Sequence, residues 1–260
     1  MDGIAFTVED GIGRITLDRP AAGNAIDLPL ARALLAAAIR CQTDDMIRCI
    51  VLTGNGRLFC AGGDVQLLAG AGDKRSDVLS ELIATFHAAV ARLARAPKPL
   101  VTLVNGPAAG AGFSLAMLGD VVIGARSAHF TAAYGAIGLT PDGGLSWLLP
   151  RLVGLRKAQD IILTNRRIKA DEAEAIGLVT RIVDDEALAD EGLNAAAALA
   201  DAPMAALAAS RALLADSFET GLETQLDREL RSMARAGAGP ESEEGLSALL
   251  AKRTANFRGV

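Results

Sequence analysis

The sequence predicts an α/β protein, and three observations carry that expectation. Short apolar runs at 47–53, 100–104 and 121–125 have the length and branched composition of buried strands. A long stretch of helical periodicity at 76–95 stands between the first two, and a glycine-rich turn with a helix stands between the last two. Strand and helix alternating in this way imply parallel strands stacked in one core.

The elements follow in order. Residues 4–17 are two β-rich runs around Asp10-Gly11, a hairpin signal. A loop over 18–25 follows, and Asp27 is placed to cap a helix running to about residue 43. The strand at 47–53 ends at Gly54-Asn55-Gly56, and a second long helix over 76–95 is stopped by Pro97 and Pro99. From about residue 185 the chain is nearly all Ala, Leu, Glu and Arg, with candidate helices at 185–200, 203–216, 220–235 and 241–252. The expected division is a core over 1–190 and a helical region over 191–260. The apolar stripes of that region must be buried against the core or against another subunit. The composition of 67–80, rich in Gly, Ala and Asp, reads as a mobile loop.

Composition narrows the function. The 260 residues are 51% hydrophobic but only 3% aromatic, so Ala, Leu, Val and Ile must fill the core. A chain this apolar is expected to form homo-oligomers. The net charge is −5, and no basic run or aromatic–basic interleaving is present, which speaks against nucleic acid. Any polyanionic ligand must be recognised locally. Cys41, Cys49 and Cys60 lack a metal-binding spacing, and His87 and His129 are the only histidines, so no metal site is expected. The N-terminus has no signal-peptide pattern, and the apolar stretch 100–125 is broken by Asn105, Gly106, Pro107 and Asp120. The expected setting is the cytoplasm, with no membrane span.

Two segments share one logic. The strand at 50–52 leads to Ala61-Gly62-Gly63-Asp64, and the strand at 101–104 leads to Gly106-Pro107-Ala108-Ala109-Gly110-Ala111-Gly112. Small residues admit a ligand close to the backbone, and a helix start leaves amides unpaired. Two such turns side by side could hold a developing oxyanion. Either turn alone is also what tight packing requires.

The ordered series of motifs resembles the crotonase, or enoyl-CoA hydratase/isomerase, superfamily over nearly the whole chain. Leu17-Asp18-Arg19-Pro20 with Asn24-Ala25 resembles its N-terminal CoA-contacting loop, and Phe59-Cys60-Ala61-Gly62-Gly63-Asp64 its first oxyanion segment. Lys98-Pro99 through Asn105-Gly106, Ala109-Gly110-Ala111-Gly112 and Asp120 resemble the second. Gly138 to Gly144, Ala175-Ile176-Gly177-Leu178-Val179 and Glu244-Gly245 to Phe257 match further on. The resemblance implies a ββα spiral core that binds an acyl-CoA thioester, with a C-terminal helical trimerisation region. It implies oxyanion amides at Gly63 and Ala111. The substrate contacts it implies are Ala25, Ala61, Asp64, Val65, Gln66, Gly110, Tyr134 and Leu139. It also implies a trimer or dimer of trimers in which Lys252 reaches a CoA phosphate across a subunit boundary. Solvent alone would also account for that lysine. No cofactor is implied beyond the coenzyme A of the substrate itself.

The reaction turns on three positions. Family hydratases handle water with two glutamates, and the matching positions here are Ser114 and Tyr134, neither of which is a carboxylate base. Asp142 remains, between Pro141 and Gly143-Gly144, where it could face a ligand or simply serve the turn. The segment 137–142 with Trp147-Leu148-Leu149-Pro150-Arg151 resembles the phenylacetate-pathway isomerase branch. That likeness implies Asp142 as acid/base in moving a double bond (Δ3 to Δ2) or in isomerising an epoxyphenylacetyl-CoA. A resemblance to 4-chlorobenzoyl-CoA dehalogenases around the same loop implies Asp142 as nucleophile and His87 as base. A hydratase-like lyase with atypical residues and a non-catalytic CoA-binding subunit complete the alternatives. Tyr134 reads as a pocket wall, Ser114 as packing in a helix turn and His87 as a half-buried helix residue.

Overall fold

The computed structural model describes residues 2–260. The chain opens with the expected hairpin, β1 (Ile4–Glu9) antiparallel to β2 (Ile12–Leu17). Asp27 then caps α1 (Leu28–Thr43), its carboxylate accepting the Leu30 amide at 2.9 Å. β3 (Cys49–Gly54) lies parallel to β2. α2 (Val65–Gly70), a short 3-10 turn at Gly72–Lys74 and α3 (Arg75–Ala94) lead to β4 (Leu100–Val104). After the two-residue β5 (Ala108–Ala109) come α4 (Ala111–Ala116), β6 (Val121–Ala125) and β7 (His129–Thr131). Then follow α5 (Leu145–Val153), α6 (Leu155–Thr164), β8 (Arg167–Lys169), α7 (Ala170–Ala175) and β9 (Arg181–Val183). Four helices close the chain, α8 (Leu188–Ala200), α9 (Met204–Asp216), α10 (Leu222–Gly237) and α11 (Pro240–Leu250).

The main sheet runs β1-β2-β3-β4-β6-β9, and every pair after the hairpin is parallel. A second sheet runs β5-β7-β8. The central parallel strands β3, β4 and β6 are buried on both faces, which is why they read as nearly continuous apolar runs rather than alternating ones. Ile50, Leu52, Leu100 and Val104 pack in the larger core with Leu30 and Leu34 of α1 and with Phe86 and Leu93 of α3. Val51, Val101, Leu103 and Ile123 face the other way, against Leu188, Ala196 and Ala200 of α8.

Two expectations are corrected. The division expected at residue 190 falls inside α8, which is a layer of the core. Its small face lets it lie directly on the sheet, and a side chain at Gly192 would stand 2.4 Å from Leu103 Cδ1. The helices with little core of their own are α9, α10 and α11, in which Ala248 is the one buried residue among those described. Leu222, Leu226, Leu230 and Met233 form an exposed apolar stripe along α10. The second correction concerns 67–80, expected as a loop. Asp64 caps α2 by accepting the amides of Gln66 and Leu67 at 3.1 and 3.2 Å. Arg75 Nε then donates to the Leu68 carbonyl at 3.1 Å, so the segment folds into α2, the 3-10 turn and the start of α3.

The C-terminal segment is tied back to the core. Arg48 donates to the carbonyls of Ala200, Ala202 and Phe257, and Arg258 pairs with Asp201. Among the described residues, no single helix is long and apolar enough to cross a membrane.

Candidate active site

The two small-residue turns lie side by side because the backbone stitches them together. Cys60 bridges Ala108 in parallel, with the Ala109 amide donating to the Cys60 carbonyl at 2.9 Å. On its other side, Ile26 donates to Gly62 O at 2.7 Å and its own carbonyl accepts the Asp64 amide at 3.0 Å. Gly62 is required for this approach: its φ is +101°, and a Cβ there would sit 2.8 Å from the Ala109 carbonyl oxygen. Asn24 secures the loop from within. It is fully buried, and its amide nitrogen lies within hydrogen-bond distance of the Asn55, Leu58 and Phe59 carbonyls.

The turns open on a cavity of about 440 Å³. Gly63 and Ala111 both line it, and among the described residues neither amide donates a hydrogen bond. Ala111 is the first residue of α4, where an amide has no partner within the helix. Leu68, Leu79, Leu82, Ile83, Phe86 and Ile137 make the remaining walls largely apolar.

Asp142 lines the same cavity. The Tyr134 hydroxyl donates to its Oδ1 at 2.6 Å. Ser114, wholly buried on α4, donates from Oγ to the Asp142 carbonyl oxygen at 2.9 Å and lies 3.2 Å from the Tyr134 oxygen. His87 Nε2 accepts the Gly143 amide at 3.0 Å and is 4.0 Å from Asp142 Oδ2. Gly143 has φ +59°, and a Cβ there would meet Phe86 Cε1 and Ser114 Cβ, both at 2.8 Å. The turn can press onto α3 and α4 only because that position has no side chain.

The sequence matches the family model described as Enoyl-CoA hydratase/isomerase over residues 7–260. The chain belongs to the enoyl-CoA hydratase/isomerase family. It is 38% identical to the 1,2-epoxyphenylacetyl-CoA isomerase of Escherichia coli K12, over 100% of this chain and 99% of that one. It is 35% identical to the 2,3-dehydroadipyl-CoA hydratase of the same organism, over 94% of each. The crystal structure of an enoyl-CoA hydratase from Polaromonas sp. JS666 superposes with a TM-score of 0.93 at 33% identity, covering 97% of this chain and 98% of that one. The fold is therefore the crotonase fold, as its motifs imply.

Within this hydratase/isomerase scaffold, eight of the expected site residues meet at the cavity: Ala61, Gly63, Val65, Gly110, Ala111, Tyr134, Leu139 and Asp142. Four do not. Ala25 turns its carbonyl to Arg19 Nη1 at 2.6 Å. Asp64 is occupied as the cap of α2 and lies 3.5 Å from Arg19. Gln66 is exposed on the first turn of α2, and Lys252 is exposed just beyond α11 with φ +53°. In the sequence His87 is linked to Asp142 only through the dehalogenase resemblance, and the contacts of Ser114 and Tyr134 with Asp142 are not foreseen. The available signal was that Ser114 and Tyr134 occupy the two positions where family hydratases aim carboxylates at a single point.

Burial pushes the Asp142 carboxyl above the ordinary carboxylate value, while the Tyr134 hydrogen bond pulls the other way. Burial and the neighbouring carboxylate both push the Tyr134 phenol up, so it stays a donor. The site thus presents two free amides, one carboxyl of raised basicity with a free oxygen, and apolar walls. Such an arrangement can remove a carbon acid's proton and hold the resulting oxyanion.

Proposed function

We propose that this family member is an acyl-CoA isomerase in which Asp142 moves a proton between two carbons of a bound enolate. The observation that carries the reading is the state of Asp142, the one carboxylate among the described residues lining the cavity. Its Oδ1 is held by Tyr134 and its Oδ2 makes no hydrogen bond. For a 3-enoyl-CoA, Oδ2 takes the C2 proton and the C2–H electron pair passes into the thioester, giving a dienolate. The amides of Gly63 and Ala111 hold the charged oxygen, each worth roughly 2.7–4 kcal/mol of barrier. The carboxyl then returns the proton to C4 and the double bond moves to C2–C3. An epoxyphenylacetyl-CoA is the alternative substrate of the same site, and the 38% identity to the E. coli isomerase supports that choice.

Ser114 and Tyr134 support isomerisation over hydration, because neither can activate water as a carboxylate does. Coenzyme A enters only as part of the substrate. In the trimer or dimer of trimers that the family resemblance implies, the α10 stripe would be covered and Lys252 would act on a neighbouring subunit's CoA. The test is conversion of a 3-enoyl-CoA to the conjugated 2-enoyl-CoA, together with exchange of the α-protons of phenylacetyl-CoA in D2O. Asp142→Asn abolishes both on this reading, and full activity in that variant would sink it.

One observation favours a second reading, the closeness of His87 to Asp142 Oδ2. In an aryl-CoA dehalogenase Asp142 would attack the ring carbon and His87 would activate water. Chloride release from 4-chlorobenzoyl-CoA decides for that reading. CoA-ester binding with no turnover of any of these thioesters decides for a non-catalytic role.

A further inference from the structure

The isomerisation proposed above uses Asp142 and two backbone amides and gives His87 no task. Yet His87 reaches from α3 to the turn that carries Asp142 and accepts the Gly143 N–H at Nε2, 3.0 Å away. The carbonyl of the same peptide group, that of Asp142, accepts from Ser114 Oγ at 2.9 Å. The Asp142–Gly143 peptide is therefore gripped at both ends, its C=O by α4 and its N–H by α3. Within the turn the Leu145 amide also donates to that carbonyl, at 3.1 Å, so His87 supplies the hold at the N–H end. Gly143 and Gly144 follow with φ of +59° and +84°, and glycine tolerates several turn geometries that differ by rotation of one peptide. A turn released at its N–H end can settle into another of these geometries, and Asp142, its first residue, shifts with it.

We propose that His87 is a positioning residue for Asp142, holding the Asp142–Gly143 peptide so that Oδ2 stays free toward the substrate while Tyr134 holds Oδ1. An imidazole that accepts at Nε2 carries its proton on Nδ1, and its Nε2 lone pair is already committed to Gly143. At 4.0 Å from Oδ2 the ring makes no hydrogen bond to the carboxylate, and its contact with the turn runs through the Gly143 amide. The inference rests on the reading of Asp142 as the acid/base.

The experiment compares His87→Leu, His87→Lys and His87→Gln with Asp142→Asn, using a 3-enoyl-CoA as substrate. The His87 side chain is half-exposed, so the substitutions leave the fold intact. Leu removes the acceptor, and Lys offers only donors. Both lower kcat by about tenfold to a hundredfold, as expected for a misplaced base. KM stays within about twofold, because substrate contacts are untouched. Gln presents an acceptor oxygen and recovers most of the lost rate. Amide hydrogen exchange of the 142–144 backbone rises in the Leu and Lys variants and not in Gln, a readout independent of turnover. If His87→Leu turns over at the wild-type rate while Asp142→Asn is inactive, the His87 inference falls and the isomerase reading stands. The inference also falls if Gln is as slow as Leu. Wild-type activity in Asp142→Asn overturns both.

Discussion

The Tyr134 hydroxyl donates a 2.6 Å hydrogen bond to Oδ1 of Asp142 from a buried side chain. The two largest effects on the basicity of Asp142 are therefore opposed: burial raises it, and this bond, which favours the ionised form, lowers it. Tyr134→Phe removes the second effect and leaves the first. The acid limb of the kcat/KM profile of 3-enoyl-CoA isomerisation is expected to move to higher pH, with the plateau largely retained. A Tyr134 that donated a proton to substrate would instead lose activity at every pH. The pH profile separates the two.

The same raised carboxyl has a consequence for stability. A group whose folded value lies above its unfolded value binds more protons in the native state, so stability falls as pH rises between the two values. Above that window the native state carries the full penalty of an ionised, buried Asp142. Asp142→Asn keeps an oxygen to accept from Tyr134 and removes the charge. It is expected to unfold at a higher temperature than the wild type near neutral pH. The advantage should disappear below the ordinary carboxylate range. Thermal unfolding followed across pH checks this, and a variant less stable at neutral pH contradicts it.

Much of this fold was legible because local and tertiary demands agreed. The strands around Val51, Val101 and Ile123 are buried on both faces, so they are apolar almost throughout, with Thr53 and Thr102 the buried exceptions. Asp27 announced α1 by a side chain that bonds three residues ahead. α8 was misassigned to the tail because an Ala/Leu helix looks the same whether it covers its own sheet or a neighbour. Gly192, where the helix touches Leu103, was the available clue. In the site, the turns were recognised from small residues and Asp142 from its place in the loop. The roles of Ser114 and His87 were not, since their partners lie 28 and 56 residues away and depend on how α3 and α4 meet the turn.

Adjacent glycines in the first oxyanion turn should behave oppositely. Gly62→Ala forces a Cβ to 2.8 Å from the Ala109 carbonyl at a φ of +101°, a strain of about 1–3 kcal/mol or more. That variant is expected to lose stability. At Gly63 a Cβ meets nothing within 4 Å, so Gly63→Ala should unfold near the wild-type temperature. Its methyl group stands beside the amide offered to the thioester, and turnover should fall instead. Paired melting curves and kcat/KM values test the contrast.

The cavity walls predict which acyl groups enter. Leu79, Leu82, Ile83 and Phe86 of α3 line it together with Ile137 and Leu139, and of the described lining residues none is Lys or Arg. Asp142, the one charged lining group, is an acid. A thioester ending in a carboxylate would bury that charge without a cation and place it in the same cavity as Asp142. Leaving such a group uncompensated costs several kcal/mol even after relaxation. A neutral aliphatic or phenyl group of similar length instead gains roughly 25 cal/mol for each Å² of apolar surface it buries. Among thioesters of matched length, kcat/KM for a carboxyl-terminated 3-enoyl-CoA should fall below that of its uncharged analogue by at least about a hundredfold. Ile83→Arg supplies the missing cation and should shrink that ratio, mainly by weakening use of the uncharged substrate. Equal use of both thioesters by the wild type would show that the acyl chain does not lie against α3.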